Sequence, residues 1–527
     1  TIPIDEGAEI TVLPEGPSFK AYTLWPNMIQ SCIIPPEGIE GELVYVGYGT
    51  LKELNGKKIK DNIALMEFNC GRNWLNVAKF GAKAVIFIEP YHTTRIEAET
   101  KFLLTPLYFP RIYISRSDAI LLRSLAENGT KIRIKSRMVW EKFEDKNVVG
   151  VVKGTKYPNE VVIFAAHYDT WSIVPSLAPG ADEAAGISTL LELARIISQN
   201  PPLRTVWFVA LSGHYQALAG AREFTETYLF SEEVQNDTVK PWIFISYDLS
   251  SDSDRITFTH RGTMYGLEGI LSSYKTIYDL FNQKYLPALK DIGYDVGRYV
   301  ERPGELSIPT SYILDSEPIG ISGVIAITYR TAESYRVSWG HPLSAMSTVN
   351  PEKLKPQITF CLYTSLFIAN EENFGLEWED VKPTRWRELP GTNQGYGFQS
   401  ITGDVTVFDW GKAFWISDPL LKEDYDILID AYQEYSSLDP FSHIIVKADS
   451  NGSFTVNGIS PRAAYHHLTA PMPGSGGTVK DLATPWWNIK AYVINRTSGA
   501  IEYAPDFGPR GDGTYQFLHF QVYWFPF

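Results

Sequence analysis

Between residues 160 and 251, long apolar runs alternate with stretches of helical spacing, and this alternation limits the fold more than any other feature. EVVIFAAHYDT (160–170) opens on a continuous apolar run, as a strand covered on both faces does. GISTLLELARIISQ (186–199) sets Leu190, Leu191, Ala194 and Ile197 at helical spacing. RTVWFVALSG (204–213) predicts the next buried strand, GHYQALAGAREFTETYLF (213–230) the next helix, and PWIFISYDLSS (241–251) a third strand. Strands separated by helices of this length predict an α/β fold with a mostly parallel, helix-covered mixed sheet. Ligands of such sheets sit outside the carboxyl ends of the strands. His167, Asp169, Ser212 to Tyr215, and Asp248 fall there.

The flanking regions read differently. ELVYVGY, NIALMEF and AVIFIE, between residues 42 and 89, predict strands bounded by Gly, Asn or Pro, with a short helix from Trp74 to Phe80 ending at Gly81. Beyond Asn370, the residues Pro383, Pro390, Gly391, Gly395 and Gly397 break the chain, and Leu420 to Tyr435 predicts one helix. From about 440 onward the pattern is short strands, ending in the apolar FQVYWFPF. Asn451-Gly452 and Ser498-Gly499 predict hairpin-type turns. His466-His467 reads as surface, since neighbouring strand residues point to opposite faces. GDGT (511–514) reads as a turn.

Composition narrows the function. A chain of 527 residues holds about three domains. Its 61 acidic and 47 basic residues leave a net charge of −14, which disfavours nucleic acid and anionic membranes as partners. A membrane-spanning helix needs about 20 apolar residues; no run of that length occurs. Cys32, Cys70 and Cys361 allow at most one disulfide, with Cys32–Cys70 the nearest pair. The first residue is Thr1 rather than Met, which reads as a processed or trimmed N-terminus and allows a removed signal peptide or anchor. The expected location is therefore extracellular, periplasmic or at the cell surface.

His167, Asp182 and Asp248 together offer one imidazole and two carboxylates from three strand or helix boundaries, a donor set suited to a divalent ion such as zinc. Asp169 stands two residues past His167, where it can orient a ligand. The segment AHYDTW…APGADEAAGISTLLELARII…RTVWFVALSGHYQALAGAREF…WIFISYDLSS resembles the co-catalytic zinc aminopeptidase superfamily. That superfamily includes glutamate carboxypeptidase, the transferrin receptor ectodomain and nicastrin. The resemblance covers 160–250 well and 320–355 loosely. It implies His167 and Asp248 on one metal, Asp182 bridging two, and His341 in WGHPLSAMSTVN as the last ligand. The early strands resemble a protease-associated domain, an insertion in several secreted or membrane-anchored peptidases. DSNGSFTVNGI resembles the edge of the small β-sandwich that accompanies carboxypeptidases. The resemblance thus implies an N-terminal segment (1–37), an inserted protease-associated-like domain (38–140), a zinc peptidase-like domain (141–372), a linker and helical segment (373–439) and a C-terminal β-sandwich (440–527).

The departures from the family pattern matter more than the match. Family enzymes carry two adjacent glutamates where this chain has His214 and Tyr215; the first is the general base and the second a metal ligand. A neutral phenol, with a pKa near ~10, is a poor ligand. His341 sits one residue short of the usual spacing to Val349-Asn350 and is followed by Pro342. The expectation is one divalent metal, zinc by its donors, or none. Hydrolysis is expected to be lost or strongly impaired, leaving a binding or structural role with a peptide or protein partner, a homo-oligomer or an extracellular assembly. The alternative is an active exopeptidase with one metal and His214 as base.

Overall fold

A computed structural model describes residues 1–260, 262–265, 272–301, 312–388, 395–409, 411–416, 425–433, 439–459, 487–503 and 518–520. His466-His467, GDGT and most of FQVYWFPF lie outside the described residues.

The central sheet follows from the two-sided apolar runs. Six strands, β8 (Val148–Val152), β9 (Tyr157–His167), β10 (Arg204–Leu211), β11 (Lys240–Asp248), β12 (Arg255–Thr259) and β13 (Ile325–Ala332), lie in the order β12-β13-β11-β9-β10-β8. The inner pairs β13-β11, β11-β9 and β9-β10 are parallel; β12 and β8 close the edges antiparallel. The mostly parallel mixed sheet expected from sequence is the one observed. Along β9, Val162, Phe164 and Ala166 face one apolar core with Leu190, Leu193 and Ile197 of the helix Ala184–Gln199. Val161, Ile163 and Ala165 face the other core, which continues into the N-terminal and C-terminal regions. The run is unbroken because both faces are covered, and each fully buried side chain contributes about 1.5–3 kcal/mol.

The helix expected from residue 213 starts later. Gly213, Ala217 and Leu218 all have positive φ (65°, 53° and 58°), so Gly213–Leu218 is an irregular turn and the helix begins at Ala219. Left-handed backbone at non-glycine residues is uncommon and ends helical propagation. The turn directs His214 and Tyr215 into the interior, where both are buried.

Ahead of the sheet, seven strands close a barrel in the order β1-β2-β6-β5-β4-β3-β7: β1 (Ile2–Val12), β2 (Ser18–Thr23), β3 (Ile39–Tyr45), β4 (Ile63–Glu67), β5 (Ala84–Ile88), β6 (Arg111–Ile114) and β7 (Lys131–Glu141). β1 pairs with both β2 and β7, so the expected boundary at residue 38 falls inside this barrel. Among the described residues the barrel precedes the central sheet in the chain and does not interrupt it. The helix expected near Trp74 spans Trp74–Lys79 and is followed by Gly81 at φ 84°. Cys32, Cys70 and Cys361 are all buried free thiols, so the allowed Cys32–Cys70 bridge is not formed.

Among the described residues after Asn370, Arg387–Glu388 pairs with Gly395–Tyr396, and two larger antiparallel sheets form, one built around Gln399–Asp409 and one around Tyr425–Gln433. The helix expected over Leu420 to Tyr435 is therefore overturned in its described part, which is strand. Ile427, Ile429 and Ala431 face one core while Leu428 faces another, a period of two, and strands pair along both edges. Ser498-Gly499 lies in the hairpin between Trp487–Asn495 and Ile501–Tyr503. Asn451-Gly452 is a turn but not a hairpin: it links Ile444–Lys447 in one sheet to Ser453–Ile459 in the other. Among the described residues, no helix is long and apolar enough to cross a membrane.

The helix Ala184–Gln199 sits against β11 so closely that a Cβ on Gly186 would stand 2.4 Å from the Tyr247 carbonyl oxygen. Gly186→Ala is expected to force the helix off the sheet and destabilise the protein by about 1–3 kcal/mol, read as a lower thermal midpoint. An unchanged midpoint would contradict this packing.

Candidate functional site

The strand ends and their following turns bring most of the expected residues into one buried cluster. His167 closes β9, and its Nδ1 lies 3.0 Å from the Asp169 carbonyl oxygen and 3.6 Å from Asp169 Oδ1. Burial opposes charge on this imidazole, but the Asp169 hydrogen bond and the charges of Asp169, Asp315 and Asp248 outweigh it and push its pKa up to about 10. Asp169 is correspondingly held below the usual carboxylate range: burial raises it, and the His167 contact prevails. His167 is thus held at hydrogen-bond distance by the Asp169 backbone oxygen, with the Asp169 carboxylate just beyond it.

The His167 ring stacks on His214, with centroids 4.2 Å apart and 23° between planes. His214 Nδ1 lies 3.1 Å from Asp315 Oδ1, with both side chains buried. Tyr215 donates its hydroxyl to Glu183 Oε1 at 2.6 Å. Burial drives Glu183 up to about 8, against the lowering effect of that phenol, and pushes Tyr215 far above the usual range. Histidine and tyrosine are therefore each engaged by a carboxylate from another element.

The three remaining positions are engaged as well. Asp182, fully buried, accepts from Ser250 Oγ (2.6 Å), the Ser251 backbone N–H (2.8 Å) and Trp339 Nε1 (2.7 Å). Asp248, at the end of β11, forms a two-pronged ion pair with Arg336: Nη1 to Oδ1 at 2.8 Å and Nη2 to Oδ2 at 2.9 Å. Arg330 Nη2 lies 3.8 Å from the same carboxylate. Burial raises Asp248, but the two guanidinium groups hold it below its ordinary value. His341 does not join the cluster. Its Nε2 faces the Val337 carbonyl oxygen at 3.2 Å and its Nδ1 accepts the Leu343 N–H at 3.2 Å. That pairing assigns the proton to Nε2 and uses both ring nitrogens.

Sequence reasoning missed Glu183, Asp315, Arg330, Arg336 and Trp339. Glu183 was adjacent to Asp182, and Arg330 ends the apolar run IAITYR, so the strand-end rule applied to it as well. Nothing local marks Arg336 or Trp339, which reach the cluster from a loop.

Comparison with known proteins finds similarity over the central part of the chain. The family model for Peptidase family M28 matches residues 147–294. That match is a similarity of the central domain to the co-catalytic zinc peptidase superfamily. A probable zinc metalloprotease of Pyrenophora teres f. teres (strain 0-1) is 34% identical over 111 residues, 20% of this chain and 23% of that protein. Carboxypeptidase Q of Xenopus laevis is 27% identical over 250 residues, 44% of this chain and 50% of that protein. The structure of a zinc aminopeptidase from Bacillus subtilis matches with a TM-score of 0.45 at 17% identity, covering 72% of this chain and 85% of that one. The chain spans about a quarter to a half of the length of these two curated relatives.

Those relatives' names point to zinc, yet the residues at this chain's centre do not fit it. Zinc ligation needs free lone pairs on converging side chains. Here Asp248 Oδ2 accepts from the Arg336 guanidinium, which also lies against Oδ1, Asp182 accepts from three donors, both His341 nitrogens face backbone groups, and Tyr215 is bonded to Glu183. Among the described residues, no group of three or more His, Cys, Asp and Glu side chains is arranged around a metal position. Of the expected set, His167 faces the Asp169 backbone oxygen, Asp182 accepts from three donors, Asp248 pairs with Arg336, and His341 is bonded to backbone groups.

Tyr215→Phe removes the hydroxyl bonded to buried Glu183. The expected cost is about 1–3 kcal/mol, that of a buried polar group left unpaired, checked by chemical denaturation. A variant as stable as the parent would show that this bond contributes nothing.

Proposed function

We propose that this chain is a zinc-peptidase-like protein that binds or assembles rather than hydrolyses peptides. The observation that carries this reading is the pairing of His214 with Asp315 and of Tyr215 with Glu183 at the positions where the family keeps two glutamates. Neither side chain offers a carboxylate to activate water or hold a second ion. A general base alone is worth about 10²–10⁴-fold in rate, and loss of metal removes stabilisation of the tetrahedral intermediate as well. The N-terminal barrel is read as a protease-associated-like domain and the two C-terminal sheets as a β-sandwich. An extracellular, periplasmic or cell-surface setting, with a peptide or protein partner or further copies of the chain, is the context proposed for them. The β-rich, aromatic C-terminal region supports an assembly role, because strand edges pair readily with neighbouring chains.

A second reading has one observation in its favour. Asp315 holds His214 by Nδ1, the way an orienting acid holds a general-base imidazole, which leaves Nε2 for a proton. That reading is an exopeptidase with His214 as base.

Release of amino acids from short peptides by the purified chain separates the two. The expected result is no turnover above background, unaffected by chelator and unchanged by His214→Ala. Chelator-sensitive turnover that His214→Ala abolishes would reverse the assignment.

A further inference from the structure

The loop Glu333–His341 follows β13 and supplies the caps of both carboxylates expected to hold metal. Arg336 closes on Asp248, bonding its carboxylate and also donating from Nη2 to its backbone oxygen at 2.8 Å. Trp339 closes on Asp182 through its indole N–H. The two caps brace each other, with the Arg336 guanidinium 4.1 Å from the centre of a Trp339 ring. Arg330, from the end of β13, puts a second guanidinium beside Asp248 and is itself stacked 3.9 Å over Tyr312. All four of Asp182, Asp248, Arg330 and Arg336 are buried.

The loop is bent to reach this position. Glu333 and Arg336 have φ of 54° and 52°, a region costly for residues other than glycine. Gly340, at φ 73°, passes so close to Trp171 that a Cβ would meet its ring at 2.3 Å. The backbone is tied down on both sides: Arg95 N–H donates to the Val337 oxygen and Ile173 N–H to the Gly340 oxygen, each at 2.9 Å. Breaking a buried ion pair by removing one partner leaves an uncompensated charge and is strongly destabilising, so the loop conformation and the cluster are mutually dependent.

We propose that Glu333–His341 is a built-in plug: Arg336 and Trp339, with Arg330 behind them, supply inside the protein the compensation that metal ions supply in a co-catalytic peptidase, and the fold is independent of divalent cations. The proposal deepens the non-catalytic reading of the same site and rests on it.

The test uses the full chain, with metal content per chain and thermal midpoint measured as purified, after EDTA, and with added zinc chloride. The expected result is substoichiometric metal and one midpoint in all three conditions. Arg336→Met, which frees the Asp248 carboxylate, is expected to lower the midpoint, with zinc chloride restoring part of the loss. Trp339→Phe keeps an aromatic ring but removes the donor to Asp182; it serves as the milder variant if Arg336→Met does not fold, with a smaller loss that zinc also offsets. Stoichiometric metal whose removal by EDTA lowers the midpoint of the parent would overturn the plug. So would parental midpoints in both variants. Peptide turnover by the parent freed of metal would overturn the non-catalytic reading and leave the plug standing.

Discussion

The ion pair between Arg336 and Asp248 is the interaction on which the centre of this protein depends. A parallel sheet collects the carboxyl ends of its strands at one edge, and in this chain those ends carry acids in a buried setting. A buried carboxylate without a partner is expensive, and the cost is met only by a cation or by several well-aimed donors. Asp248 receives a cation, in the form of a guanidinium that hydrogen-bonds Oδ2 and lies 2.8 Å from Oδ1. Asp182 receives hydroxyl, amide and indole donors. Hydrogen bonds to a charged group contribute about 1.5–3 kcal/mol each, so three neutral donors compensate a carboxylate without any ion.

The same centre is a packing junction. Trp171, four residues past His167, meets Trp25 and Phe102 of the N-terminal region at ring separations of 6.0 Å each, and Phe441 of the C-terminal region at 5.1 Å. Tyr215 meets Phe441 at 5.0 Å as well. Tyr215 and Trp171, themselves 6.4 Å apart, thus join the central sheet to its neighbours in the chain. A buried phenol adds apolar surface to this junction while its hydroxyl stays bonded to Glu183.

How much of this was legible in the sequence depends on the distance over which each feature is decided. β9 was readable because a strand buried on both faces shows as an unbroken apolar run, and the adjoining helix because Leu190 and Ile197 recur at its period. Tyr425–Gln433 was misread as part of a helix; its Ile and Tyr residues suit a strand, and pairing on both edges, invisible in the local sequence, settles it. His341 was picked from a motif-like context, yet backbone groups at Val337 and Leu343 claim both its nitrogens.

Sequence alone determined the parallel sheet, the positions of His167, Asp169 and Asp248 at or just past strand ends, and the presence of His214 and Tyr215 just past β10. These are properties of hydrophobic periodicity and residue identity, both local. Only the tertiary structure decided what those side chains bond to. The compensating groups, Arg330, Arg336, Trp339, Asp315 and Glu183, come from other elements, and charge compensation in a buried site is set by distance in space rather than by order along the chain.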